Sequence, residues 1–142
     1  MNNPYKSYSH NQIDSATPAE QIGALFDKAA RHIADASQAI ARGDIQARYD
    51  ASEKAMVIME GLLSSLNRET PERAQAAESL ELYYRTMIMM ISRLNIYNDE
   101  TVCSSLESSF KDMADFWRQA GLTLNQPQND TDEVPTGAIF SA

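Results

Sequence analysis

Residues 80–97 read LELYYRTMIMMISRLNIY, and this stretch decides the fold of the chain. It contains no glycine or proline, so its composition favours a helix. Apolar residues recur along it in alternating steps of four and three, which is typical of one buried stripe on a bundle helix. The stripe consists of Leu80, Tyr84, Met87, Ile91 and Leu94.

The stretch holds more apolar residues than this stripe uses. The others, on a second face of the helix, are Leu82, Tyr83, Ile88, Met89, Met90, Ile96 and Tyr97. A helix that is apolar nearly all round is either surrounded by neighbours or presents an apolar surface to a partner. A chain of 142 residues has few neighbours to offer. We therefore interpret this second face, and Met89 and Met90 above all, as a binding surface.

The rest of the chain predicts three more helices around this one. Thr17 and Thr70 are N-caps, each followed by a proline at the first helical position, and Gly43 and Gly121 are helix stops. The four helices are expected at about residues 18–42, 45–67, 71–97 and 100–120. Because the connections are short, the expected fold is all-α, an antiparallel up-down-up-down four-helix bundle.

The two ends of the chain lack this periodicity. Residues 1–16 are polar, with Tyr5 and Tyr8 among them, and are expected to form a flexible N-terminal arm. Residues 122–142 contain three acidic residues and no basic one, and are expected to form a disordered acidic tail. The bundle is expected to span residues 17–121 as a single domain.

The same spacing assigns core faces to the other helices. The face of helix one is Ile22, Leu25, Phe26, Ala29, Ile33, Ala36 and Ile40. That of helix two is Ile45, Tyr49, Ser52, Met56, Met59, Leu63 and Leu66. That of helix four is Val102, Leu106, Phe110, Met113, Trp117 and Ala120. We expect Asp27 and Arg31 to pair on the solvent side of helix one, and Gly61 to mark a close approach of another helix.

Charge and composition exclude several classes of partner. The net charge is −8, and no cluster of lysine and arginine is present, which disfavours binding to nucleic acid or to an anionic membrane. The first residues do not resemble a signal peptide, and no run of 18 apolar residues occurs. We expect a cytoplasmic protein that does not insert into membranes.

Catalytic and metal-binding patterns are missing from the sequence. A di-iron bundle needs Glu-x-x-His motifs, but neither His10 nor His32 follows a glutamate by three residues. Cys103 is read as a spare thiol, because no histidine base accompanies it in sequence. There is no glycine-rich phosphate loop and no nucleophile elbow. We expect no enzyme activity, no metal and no cofactor.

Physical reasoning alone favours a helical module with an apolar groove. Its partner would be an amphipathic helix laid across helices two and three, where Ile58 and Leu62 widen the apolar face of helix two. Tyr5 and Tyr8 of the arm would occupy the groove when the partner is absent. The alternatives are a structural homodimer that buries helix three against its own copy, or a helix-binding adaptor that uses the same face.

Several short motifs, in their order and spacing, resemble the FliS family of flagellin-specific export chaperones. The motifs are YKSY at 5–8, ATPAEQI at 16–22, LFDKA at 25–29, IARGDI at 40–45, KAMVIM at 54–59, LNIYND at 94–99 and ADFW at 114–117. Each motif is weak alone, and together they cover most of the chain.

This resemblance implies an antiparallel four-helix bundle that binds the C-terminal segment of flagellin in apolar grooves. It also implies that the complex prevents early polymerisation and delivers flagellin to the flagellar export machinery, with the N-terminal arm gating the groove. The chain departs from the family pattern in helix three: Met89 and Met90 replace basic residues, and Arg85 replaces an acidic one. These changes make the predicted binding surface more apolar than is usual for the family.

Overall fold

The computed structural model describes residues 16–125, and within that range the chain forms four helices and no strand. The helices are α1 (Pro18–Ala41), α2 (Ile45–Ser64), α3 (Pro71–Tyr97) and α4 (Glu100–Asn125). Neighbours in the sequence also pack together in space, and α1 packs against α4 to close the bundle. The predicted all-α four-helix bundle is confirmed.

The helix starts follow from local hydrogen bonding. Thr17 Oγ1 accepts a hydrogen bond from the Glu20 N–H at 3.1 Å, and Thr70 Oγ1 accepts one from the Arg73 N–H at 3.1 Å. Each cap satisfies a backbone donor that has no partner within its own helix. Gly43, at φ +70°, takes the left-handed conformation that turns the chain after α1. The predicted starts at Thr17 and Thr70 are therefore confirmed.

Helix α2 ends three residues before the predicted boundary at residue 67. Its last helical residue is Ser64, and the Ser65 N–H bonds to carbonyls of the final turn. The Ser64 and Ser65 hydroxyls donate to the Gly61 and Leu62 carbonyl oxygens at 3.0 and 3.1 Å. Because serine hydroxyls satisfy carbonyls that a further turn of helix would use, the helix stops there.

Gly121 does not stop the fourth helix, which continues to Asn125. The glycine is buried, and a Cβ at this position would lie 2.9 Å from Glu20 Cγ and 3.1 Å from Thr17 Oγ1. The residue is therefore a glycine because the start of α1 approaches the backbone of α4 closely. Residues 122–125 belong to this helix, and the rest of the predicted tail lies outside the described residues.

A second glycine, Gly23, brings the same two helices together one turn further along. A Cβ on Gly23 would lie 3.2 Å from the Ala114 carbonyl oxygen and 3.4 Å from Arg118 Cγ. This approach places Arg118 beside Asp27, and the two form an ion pair across the helices. The predicted pairing of Asp27 with Arg31 is thus wrong, because the partner comes from α4 and not from the next turn of α1.

Gly61 has no such neighbour, so the expected close approach at this position is wrong. The residue is exposed, and no atom would lie within 4 Å of an added Cβ. We predict that Gly61→Ala raises the free energy of unfolding by about 0.5–1 kcal/mol, because alanine loses less backbone entropy on folding. Urea denaturation measures this change. Gly23→Ala is the matched control and should destabilise, and a loss of stability in both variants would contradict the prediction.

The core confirms the predicted stripe of α3 and corrects that of α2. All five stripe residues of α3 are buried. In α2 the buried residues are Ala51, Ser52, Ala55, Met59 and Leu62, whereas Ile45 and Tyr49 are 68% and 50% exposed. Three of these five buried residues are small, which lets α2 pack closely against its neighbours. Leu25, predicted in the core face of helix one, is also exposed.

Helices α3 and α4 pack together least of the neighbouring pairs. Four aromatic rings fill the space between α1, α3 and α4. The Phe26 centroid lies 6.2 Å from those of Tyr83 and Tyr84 and 6.0 Å from that of Phe110, and the two tyrosine rings are 5.8 Å apart. Such bulky rings keep the two helix axes apart, whereas glycines bring α1 and α4 together. The bundle therefore opens along α3 and α4.

Candidate partner-binding surface

The second face predicted for α3 is divided by the structure into three sets of residues. The first, which we call the outer stripe, consists of Leu82, Met89 and Ile96. These residues are 70%, 70% and 72% exposed. Residues seven apart lie nearly in line on a helix, and this line is opposite the buried stripe. The outer stripe thus runs along the solvent side of α3 for about 21 Å at 1.5 Å per residue.

The second set faces α4 and consists of Tyr83, Met90 and Tyr97, also spaced by seven residues. Tyr83 Oη and Ser109 Oγ share a hydrogen bond of 2.6 Å, which fixes the direction of this flank. Tyr83 and Met90 are half-buried and pack against the core. Tyr97 is 65% exposed, and the Arg93 guanidinium lies 5.1 Å from its ring centroid. Of these three residues, Tyr83 lines the opening between α3 and α4.

The third set contains Ile88, on the flank of α3 that faces α2. The flank is identified by Asn95, seven residues on, whose Oδ1 accepts a hydrogen bond from Ser52 Oγ of α2 at 2.7 Å. Ile88 is half-buried and packs against the core. It is therefore less available to a partner than the outer stripe.

The two predicted partner contacts on α2 do not lie on an open groove. Leu62 is only 5% exposed and belongs to the core, so it is not accessible to a partner in this conformation. Ile58 is half-buried and packs against the core, so it is less available to a partner than the outer stripe. Tyr5 and Tyr8 lie outside the described residues.

The opening between α3 and α4 is a groove of about 620 Å³ that sequence reasoning missed. Its residues from α4 are mostly small and polar, with Tyr83 of α3 as the opposite wall. The lining is Tyr83, Ser104, Ser105, Ser108, Ser109, Asp112 and Met113. The signal in the sequence was the four serines at i, i+1, i+4 and i+5, which place hydroxyls on one face of a helix. A search for apolar patterns does not detect such a polar face.

The charged residues beside the outer stripe are basic from residue 82 onward, after the acidic residues Glu78 and Glu81. From residue 82 to residue 98, the only charged residues of the sequence are Arg85 and Arg93. Arg85 Nε lies 3.3 Å from Glu81 Oε2, and Arg68 pairs with the other oxygen of the same carboxylate. Two guanidinium groups therefore share one carboxylate, which leaves a local charge of +1 in a chain whose net charge is −8. This surface suits a partner with acidic residues beside its apolar ones.

Burial shifts the pKa values of two titratable groups of the bundle, Cys103 and His32. Burial, with smaller contributions from Glu107, Glu100 and Asp99, raises the pKa of the Cys103 thiol to about 11. Burial also lowers the pKa of His32, and Lys54 adds to that effect. Within residues 16–125, no three His, Cys, Asp or Glu side chains lie together in a way that could hold a metal ion. None of the four helices is long and apolar enough to cross a membrane.

We predict that Cys103 resists thiol reagents while the protein is folded. The side chain is fully buried, and its raised pKa keeps it protonated at pH 8. The measurement is labelling by Ellman's reagent with and without urea, and Ser105→Cys on the exposed side of α4 is the control that should react at once. Because the folded pKa lies above the unfolded one, this thiol's contribution to stability is present below pH 9 and is lost as the pH rises through 11. Rapid native labelling of the wild type would contradict the prediction.

Comparison with known proteins identifies the family of this bundle. The family described as flagellar protein FliS matches residues 1–123. The chain belongs to the FliS family.

Three curated relatives carry the name flagellar secretion chaperone FliS. The protein from Bacillus subtilis is 30% identical over 120 residues, which covers 84% of this chain and 87% of the relative. That from Salmonella typhimurium is 29% identical, with 80% and 87% covered. That from Campylobacter jejuni is 27% identical, with 81% and 88% covered. The resemblance carried by the short motifs is therefore confirmed.

Proposed function

We propose that this protein is a cytoplasmic flagellar secretion chaperone that binds the C-terminal segment of flagellin. By covering that segment, it would keep flagellin from polymerising early and deliver it to the flagellar export machinery. Membership of the FliS family supports the class of function, and the names of the three relatives support a secreted flagellar client.

The outer stripe of α3 is the observation that most supports this proposal. Three large apolar side chains lie on one line, each at least 70% exposed. Leaving each of them in water forgoes about 1.5–3 kcal/mol relative to burial. A surface of this kind on a bundle usually marks an interaction site. An amphipathic helix with apolar residues at i, i+3, i+4 and i+7 would cover it.

The groove between α3 and α4 offers a second, more polar surface to the same client. Ser104, Ser105 and Ser108 are exposed along it. Their hydroxyls can donate to and accept from a peptide backbone, which a wholly apolar groove could not do. We therefore assign the helical part of the client to the outer stripe and its irregular part to the serine groove.

The test is calorimetric titration of the full chain with a flagellin C-terminal peptide, together with light scattering. We expect binding with a large negative heat-capacity change, since apolar surface closes and the peptide folds as it docks. A confirmed monomer that does not bind the peptide would refute flagellin as the client. A stable dimer that does not bind it would favour the homodimer, in which a second copy already covers α3.

A further inference from the structure

We propose that residues 126–142 cover the outer stripe of α3 when no client is bound. In this arrangement Asp132 and Glu133 lie beside Arg85, and Ile139 and Phe140 pack against Met89. The contact itself does not depend on the proposed function. Its regulatory consequence does, because a client at the outer stripe would have to displace this segment.

Charge complementarity is the first argument for this occupant. Residues 126–142 carry Asp130, Asp132 and Glu133 and no basic residue, so their charge is −3. The surface beside the outer stripe has Arg68 and Arg85 on a single carboxylate, and no acidic residue occurs from residue 82 to residue 98. A second copy of α3 docked antiparallel about Met89 would place Arg85 opposite Arg93, which is repulsive. An acidic segment is therefore favoured over a second α3.

Chain length is the second argument. Tyr83 and Ser109 share a hydrogen bond and so lie at the same level of the bundle. From Ser109 to the end of α4 at Asn125 is about 24 Å, and from Tyr83 to Met89 in the opposite sense is about 9 Å. The apolar end of the segment must therefore travel about 33 Å along the bundle. Residues 126–139 span at most about 46 Å when extended, which leaves room to cross from α4 to the outside of α3.

The same measure decides which residues meet. Ile96 lies about 44 Å from the end of α4 along the axis, nearly the whole reach of the segment, so Met89 is the apolar contact. An extended chain from residue 126 to Glu133 spans about 26 Å. The Arg85 side chain points back towards Glu81, which lies about 21 Å from the end of α4 along the bundle axis. Pro127 and Pro135 favour an extended chain over a helix. The acidic residues thus come beside Arg85 just before the apolar pair reaches Met89.

Methionine methyl resonances of the full chain test the contact without any client. We expect the Met89 methyl resonance to move when Ile139→Asp and Phe140→Asp are combined, because the apolar contact is lost. The methyl group of Met59, which is fully buried, is the internal control that should not move. The double substitution D132K/E133K should move the Met89 resonance in the same direction. Adding Arg85→Glu to it should move the resonance back towards that of the wild type.

Two results would overturn the proposal. One is a Met89 resonance at the same position in the wild type and in both tail variants. The other is a Met89 resonance that shifts on dilution, since a second copy would then be the occupant. If the contact is present and the proposed function is also correct, the Ile139→Asp/Phe140→Asp variant should bind the flagellin peptide more tightly. If residues 126–142 occupy the outer stripe about 90% of the time, the apparent affinity for the peptide is lowered about tenfold.

Discussion

Replacing Trp117 with alanine is expected to lower the free energy of unfolding by about 3–5 kcal/mol, the range for large aromatic residues in a close-packed core. Trp117 is the largest fully buried side chain, and its Cβ lies 3.6 Å from the place where a Cβ on Gly23 would stand. The interface between α1 and α4, which we call the α1–α4 seam, cannot collapse into the resulting cavity. The two backbones are already in close approach at Gly23 and Gly121. The loss is of the order of half the stability of a small domain.

The matched control for this substitution is the neighbouring residue. Phe116 is 40% exposed and meets the Trp117 ring edge-on, with centroids 5.6 Å apart. Phe116→Ala removes an aromatic ring from the same helix without opening a closed cavity, so it should cost much less. Urea denaturation followed by far-ultraviolet circular dichroism gives both values, since tryptophan fluorescence is lost in one variant. If both variants lost the same free energy of unfolding, the prediction that the α1–α4 seam cannot relax around the cavity would be contradicted.

The α1–α4 seam also shows where sequence reasoning succeeds and where it fails. The core face of helix four was predicted correctly around Leu106, Phe110 and Trp117, because bulky apolar residues recur there at helical spacing on one side of an otherwise polar helix. Gly121 was predicted as a stop because glycine most often ends a helix. Its burial against Thr17 and Glu20 depends on a helix one hundred residues away in the sequence, and no local pattern reports that contact.

The candidate binding surface of α3 also has features that the sequence predicts and features that it does not. The sequence predicted an excess of apolar residues on α3, and the structure places Met89 and Ile96 in the open but Ile88 against the core. The division requires knowing on which sides α2 and α4 lie, and tertiary contacts alone supply this. On α2, Leu62 was assigned to the surface because it lies beside the predicted stripe, whereas the core face of the structure turns towards Ala51, Ala55 and Leu62.

Met89→Arg is expected to weaken binding of the flagellin C-terminal peptide by roughly tenfold to a hundredfold. The substitution removes an apolar contact worth about 1.5–3 kcal/mol and puts a charge at the centre of the outer stripe. The fold should not change, because Met89 is 70% exposed and its backbone lies in the middle of a regular helix. Equal circular dichroism spectra and melting temperatures would establish this before the titration.

The effect of Met89→Arg is specific only if a similar change elsewhere leaves binding intact. Leu122 is 56% exposed and lies one turn after Arg118, on the flank of α4 that faces α1, so Leu122→Arg is the matched control. A loss of affinity in Met89→Arg alone would place the client on the outer stripe, because both variants add the same charge to an exposed apolar site. Equal loss in both variants would indicate a general effect of charge on an acidic protein. Unchanged affinity in Met89→Arg would remove the outer stripe from the site and leave the serine groove between α3 and α4 as the surface to test next.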